Sequence, residues 1–195
     1  MALFTGGCAP REPDPTNTIR AMHRALSAGD VASASALVDY RYRLAEMLGE
    51  VFETAPEADR VAAVELATQM FANTTESLWK THYDGRPTTT RIVKREGPHV
   101  WVEGLADGDG RPSFSWTYRL TRLDGRWRVT QREYRSGPLR SDTSAFYPMA
   151  IRQLTKQLGR APTLGELNAN LPSLQGRLKA RTYHIPELPA RPGKS

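Results

Sequence analysis

Polar and apolar positions alternate through Phe114-Ser-Trp-Thr-Tyr-Arg-Leu120. Phe114, Trp116, Tyr118 and Leu120 fall on one side, and Ser115, Thr117, Arg119 and Thr121 on the other. A period of two over this length predicts a strand with one buried face. Gly125-Arg-Trp-Arg-Val129 resumes the alternation after Asp124-Gly125, a dipeptide suited to a tight hairpin turn. The same reasoning predicts strands over 88–94, 99–105, 113–122 and 126–134. Gly97-Pro98, the Asp107-Gly-Asp-Gly110 loop and Asp124-Gly125 separate them. Connections this short imply an antiparallel sheet.

Before Thr88 the period is helical. Ile19, Met22 and Leu26 form one stripe over 18–28, with Gly29 as the stop. Asp30 suits the N-cap of a second helix that carries Leu37, Tyr40, Leu44, Met47 or Leu48, and Val51. Thr54-Ala-Pro-Glu57 has the form of a capping box, opening a long helix with Val61, Val64, Phe71 and Leu78 that runs toward Tyr83. Past Gly137-Pro138, Phe146, Ala150, Leu154 and Leu158 recur at helical spacing up to Gly159. Thr163-Leu-Gly-Glu166 is a second capping box, opening a short helix that Pro172 is expected to end.

Helices, then strands, then helices define an α+β fold: N-terminal helices packed on a curved antiparallel sheet of about four strands, closed by C-terminal helices. The 195 residues suffice for one domain with a full core. We place that domain at 17–171, after a tether at 1–16 built on Ala9-Pro-Arg-Glu-Pro-Asp-Pro15, and before a Pro- and Arg-rich tail at 172–195. No apolar run reaches the roughly 18 residues of a membrane span. The formal charge of +6 favours anionic partners.

Cys8 is the one cysteine, which excludes an internal disulfide and zinc sites built on several cysteines. It closes Leu3-Phe-Thr-Gly-Gly-Cys8, similar to the end of a bacterial lipoprotein signal, although Thr5 stands where such signals usually carry leucine. On that reading Cys8 is lipidated and the true start lies upstream of Met1. The alternative is a free thiol on a loose terminus.

The pattern Leu37-Val-Asp-Tyr40, Ala45-Glu-Met-Leu-Gly49, Phe52, Thr54-Ala-Pro-Glu57 and Met70-Phe71 resembles the periplasmic phospholipid carriers that serve the Mla-type ABC transporter, the toluene-tolerance auxiliary proteins. Trp116-Thr-Tyr-Arg-Leu120, Asp124-Gly-Arg-Trp-Arg-Val129 and the helix from Phe146 to Leu158 follow in that family's order, so the resemblance runs from about Thr18 to Leu171. Thr130-Gln-Arg-Glu-Tyr-Arg-Ser-Gly137 departs from the Asp and Gly-Val-Ser with which the family continues its last strand. The resemblance implies a cone of the nuclear transport factor two-like superfamily with an apolar cavity for acyl chains and no cofactor. It also implies a periplasmic or envelope location, and an inner-membrane ABC transporter and an outer-membrane lipoprotein complex as partners. The candidate wall is Met47, Val51, Phe52, Met70, Phe71, Leu78, Phe114, Trp116, Tyr118, Leu120, Trp127 and Val129. Taken singly, each reads better as ordinary closed core.

Arg126, Arg128 and Arg132 are expected on the outer face of their strand, as a solvated stripe or a surface for anionic lipid or an acidic partner. No recognised nucleic-acid motif accompanies them, so nucleic acid is not among the expected partners. A cavity enzyme of the same fold is the alternative from another class, drawing on Tyr118, Glu133, Asp39, His23, His82, His99 and His184. These show no metal-type histidine pair, nucleophile elbow or phosphate loop. A third reading is an interaction domain with a filled core.

Overall fold

A computed structural model describes residues 13–82, 88–106, 114–136, 139–142 and 146–182, with side chains over 13–72, 88–105, 115–132 and 147–173. Strands β1 (Thr88–Glu96), β2 (His99–Ala106), β3 (Phe114–Leu123), β4 (Arg126–Ser136) and β5 (Leu139–Asp142) form one antiparallel sheet in that order. The first four are the predicted strands. The fifth, just four residues long, pairs Leu139 with Ser136 and Asp142 with Glu133, and is too short to carry a period. Asp124 and Gly125 both lie at positive φ, 48° and 75°, as a two-residue hairpin turn of primed type demands.

Helix α1 (Thr16–Ser27) lies on the inner face of the sheet and buries Ile19, Met22, His23 and Leu26. The predicted second helix is three pieces: α2 (Val31–Ser35), α3 (Tyr40–Leu48) and α4 (Glu50–Glu53). Asp30 caps the first piece through Ser33 N at 2.9 Å, as expected, and Asp39 caps the next through Tyr42 N at 2.8 Å. The break between them has a partner that helical spacing cannot show. Val129 on β4 donates to Leu37 O at 2.9 Å and accepts from Asp39 N at 3.0 Å, so Val38 bridges to the sheet in parallel.

Helix α5 (Glu57–His82) is the predicted long helix, but Thr54 and Glu57 do not form its capping box. Thr54 Oγ1 donates to Glu50 O at 2.7 Å, and Glu57 is held by Arg41 and Arg60. At Thr163 and Glu166 the box does form, with Thr163 N donating to the Glu166 carboxylate at 2.8 Å and Glu166 N to Thr163 Oγ1 at 3.3 Å. Helices α6 (Phe146–Leu158) and α7 (Leu164–Thr182) follow as the last described elements. Helix α7 runs through Pro172 instead of ending there. The proline is on an exposed side, and Asn170 Nδ2 to Glu166 O and Ser173 Oγ to Asn170 O, at 2.8 and 2.9 Å, brace its turn. Among the described residues no helix is long and apolar enough to cross a membrane.

Two cores result. One joins the inner face of the sheet to α1 and α5 through Ile19, Met22, Tyr40, Phe71, Val102, Trp116, Tyr118 and Leu120. The other is helical, built on Leu44, Leu48, Phe52, Ala63, Leu154, Leu164 and Leu167. Val64 and Ala67 of α5 pack against both.

At Gly104 of β2 the His23 ring of α1 lies close against the sheet backbone. A Cβ there would stand 2.5 Å from His23 Cε1 and 3.1 Å from Nε2. Gly104→Ala should therefore destabilise the fold by roughly 1–3 kcal/mol through overpacking. His23→Ala in the same chain should recover part of that loss in urea titrations. Strictly additive costs would show that the two residues do not meet.

Candidate functional site

The sheet-side core is where apolar rings and buried polar groups coincide. In the β3–β4 register Leu120 faces Val129 while Arg119 faces Gln131, so Thr130 is an extra residue that the partner strand does not match. Such a bulge shifts the in–out phase of everything beyond it. Trp127 and Val129 face inward before it, and Arg132 faces inward after it, opposite Tyr118. This corrects the expected arginine stripe. Arg126 is exposed and Arg128 half-buried, donating to Ala36 O at 2.7 Å, but Arg132 is 3% exposed and belongs to the inner layer.

The Arg132 guanidinium carbon lies 4.6 Å from the Phe71 ring centroid and 4.7 Å from that of Trp116. Aromatic faces attract a cation at this range, more strongly when water is excluded. Tyr40 meets Phe71 edge-on at 6.0 Å, and Trp116 stacks beside Tyr118 at 6.3 Å. Burial raises the pKa of both tyrosines, Tyr40 to about 12 with Ser35 Oγ at 2.9 Å from its hydroxyl. Both therefore stay neutral, and neither is a general base near neutral pH.

His23 is the second buried polar group. Its Nδ1 is 3.2 Å from Thr88 Oγ1 and its Nε2 is 3.1 Å from the Tyr118 hydroxyl, so both ring nitrogens serve the protein. Burial lowers its pKa from 6.5 to about 4. The ring is a neutral tie between α1 and strands β1 and β3. The other groups considered for catalysis are scattered. Asp39 caps α3. His99 lies on the outer face of the sheet, 2.9 Å from Thr121 Oγ1. Thr121 leads through Thr130 to Arg119, which is paired with Glu46. The side chains of Glu133 and His82, and all of His184, lie outside the described residues. Among the described residues no group of three His, Cys, Asp or Glu side chains is placed to hold a metal.

Ten of the twelve expected wall residues divide between the two cores. Phe71, Trp116, Tyr118, Leu120, Trp127 and Val129 meet on the sheet side, whereas Phe52 is buried in the helical core with Met47, Val51 and Met70 packed against it. Leu78 is on α5 and Phe114 on β3, with side chains outside the described set, and Cys8 and the Asp107-Gly-Asp-Gly110 loop lie outside the described residues altogether. Sequence reasoning missed Arg132 as an inner residue. The signal was an odd interval: Tyr134 stands opposite Trp116, five residues from Val129, where an unbroken strand would keep the interval even.

This architecture is an α+β fold in which N-terminal helices pack on an antiparallel sheet and C-terminal helices follow. A phospholipid-binding protein from Ralstonia solanacearum, solved in complex with a phospholipid, superposes with a TM-score of 0.59 at 12% identity, over 84% of this chain and 96% of that one. It is the fold expected from the resemblance to the Mla-type carriers. No family model matches the chain, and no curated protein matches its sequence.

The imidazole makes fold stability depend on pH. The unfolded chain binds a proton at the ordinary histidine value of 6.5, the folded chain only near 4. The His23 contribution is therefore complete above about pH 6.5 and declines as pH falls through the window to 4. At about 1.4 kcal/mol for each tenfold difference in proton affinity, the decline amounts to roughly 3 kcal/mol. Urea midpoints taken at intervals from pH 7 to pH 4 should fall accordingly, and His23→Gln should flatten that part of the profile. An unchanged slope in the variant would assign the acid sensitivity to other groups.

Proposed function

We propose that this chain binds a phospholipid, or an amphiphile like it, between its helices and the inner face of the sheet. It would carry that ligand between membrane complexes of the bacterial envelope, as the auxiliary component of an ABC transporter. The observation that carries this reading is the fold shared, over 84% of the chain, with a protein that holds a phospholipid. The sheet-side layer suits the ligand, since large rings on β3 and α5 offer apolar area to acyl chains. Binding without chemistry is supported by His23, whose ring nitrogens are both engaged within the protein. On this reading the partners are an inner-membrane transporter and an outer-membrane lipoprotein complex, and acylation of Cys8 would tether the carrier to the envelope. Intact-mass measurement of protein from the native host tests the tether, and an unmodified Cys8 would remove it.

The ligand is tested by native mass spectrometry of gently purified protein. Co-purified phospholipid is expected, and Phe71→Trp should reduce it with little change in melting temperature, because added bulk in an open wall displaces ligand. In a filled core the same substitution would cost roughly 1–3 kcal/mol by overpacking. Lipid-free protein that unfolds on Phe71→Trp would sink the carrier reading and leave an ordinary core.

A further inference from the structure

A concavity opens at the protein surface. It is a surface cleft of about 440 Å³ between α3, the α4–α5 corner and the β3–β4 turn. Ala45, Tyr42 and Leu123, each partly exposed, are apolar residues of its lining, which also reaches the buried Phe52. Asp39, Glu53 and Asp124 bring carboxylates to its walls, and Arg41 and Arg60 bring guanidiniums.

Those two kinds of charge are not equally available. Arg41 grips Glu57 with both terminal nitrogens, at 2.9 and 3.0 Å. Arg60 holds the same carboxylate through Nε at 2.9 Å and the Glu53 carbonyl through Nη1 at 2.8 Å. An incoming anion would have to displace Glu57 from both. The carboxylates of Glu53 and Asp124, in contrast, have no partner among the described residues, and Asp39 spends one oxygen on the α3 cap. Three carboxylates and two guanidiniums line the cleft, and both guanidiniums are already engaged by Glu57, on a chain whose formal charge is +6. Asp124 is also fixed in place, because the hairpin turn holds it at φ 48°. The cleft is thus an acidic pocket with a partly apolar lining on a basic protein.

We propose that this cleft is a docking site for a protein partner that inserts an arginine or lysine beside a large apolar side chain. The cation would meet Glu53 and Asp124 while its neighbour covers Tyr42 and Leu123. The volume lies within the several hundred Å³ that small-ligand pockets occupy, enough for one long side chain and its neighbour. Opposite charge at the rim would speed and orient the encounter, and the buried apolar contact would hold it. The inference is independent of lipid binding, since the cleft is not part of the sheet-side layer.

The test uses the full chain and a capped tripeptide, leucine-arginine-leucine, followed by backbone amide NMR. Saturable shifts are expected at residues 39–45, 52–53 and 123–125. They should weaken in about 0.5 M salt. Replacing the peptide's arginine by glutamine should weaken them, and replacing it by glutamate should abolish them. The double variant Glu53→Gln with Asp124→Asn removes two exposed carboxylates and should weaken binding about fivefold without lowering the melting temperature. Asp124→Asn alone should give a smaller loss. Equal shifts with the glutamate peptide, shifts elsewhere on the protein, or affinity unchanged by the variants would overturn the proposal. So would two other occupants: cleft shifts on deletion of residues 183–195, which would mean the chain's own tail fills the site, or cleft shifts that follow concentration-dependent dimerisation.

Discussion

The two backbone hydrogen bonds at Val129 determine much of what surrounds them. By taking Leu37 and Asp39 as its partners, β4 gains a neighbour along the half of its edge that β5 does not reach. An edge strand left open would present unpaired backbone groups. The same contact breaks what would have been one long helix and sets Asp39 at a new N-terminus. It thereby aims Tyr40 into the sheet-side core and Leu44 and Leu48 into the helical one. One residue further along β4 lies the bulge, so the docking of the N-terminal helices and the inward turn of Arg132 occur at one place in the sheet.

The inner layer tolerates two polar groups by different means. A neutral imidazole between two hydroxyls satisfies its nitrogens and needs no counter-charge, and its price is paid only on acidification. A guanidinium cannot discharge, so it must be solvated by what lies around it. Phe71 and Trp116 supply the negative faces of their rings.

Much of this was legible in the chain, because the period of hydrophobic residues reports which faces are buried. The alternation from Phe114 to Leu120, the Asp124-Gly125 turn, the Asp30 cap and the Thr163-Glu166 box are all local signals, and each appears in the structure where local chemistry puts it. What escaped depends on contacts distant in sequence. The break at Val38 comes from β4, ninety-one residues later. The unused box at Thr54 yields to Arg41, which draws Glu57 toward α3. Arg132 was misplaced because a bulge inserts one residue into a period of two, and strict alternation then assigns every later side chain to the wrong face. For the expected wall, helical spacing placed Phe71 and the resemblance placed Phe52, and both are buried, but neither signal says against what. They lie in different cores.

That division gives α5 its particular role. Most surface helices bury one stripe and leave the other to water. Along its described length α5 presents Phe71 to the sheet and Ala63 and Met70 to α3, α6 and α7, with Val64 and Ala67 touching both cores. Its wall toward the sheet is therefore backed by packed protein. A helix with water behind it could move outward by exposing little apolar surface. Here, displacement from the sheet must either open a gap in the first core or compress the second, and close-packed interiors resist both. Expansion of the sheet-side layer would meet less resistance on the α1 side, where the helix is tied down by His23 and backed by exposed Arg20 and Arg24. The mechanical asymmetry of the layer thus follows from the arrangement of its cores: a rigid wall at α5, and a lighter one at α1 held by Ile19, Met22, Leu26 and the neutral His23 imidazole.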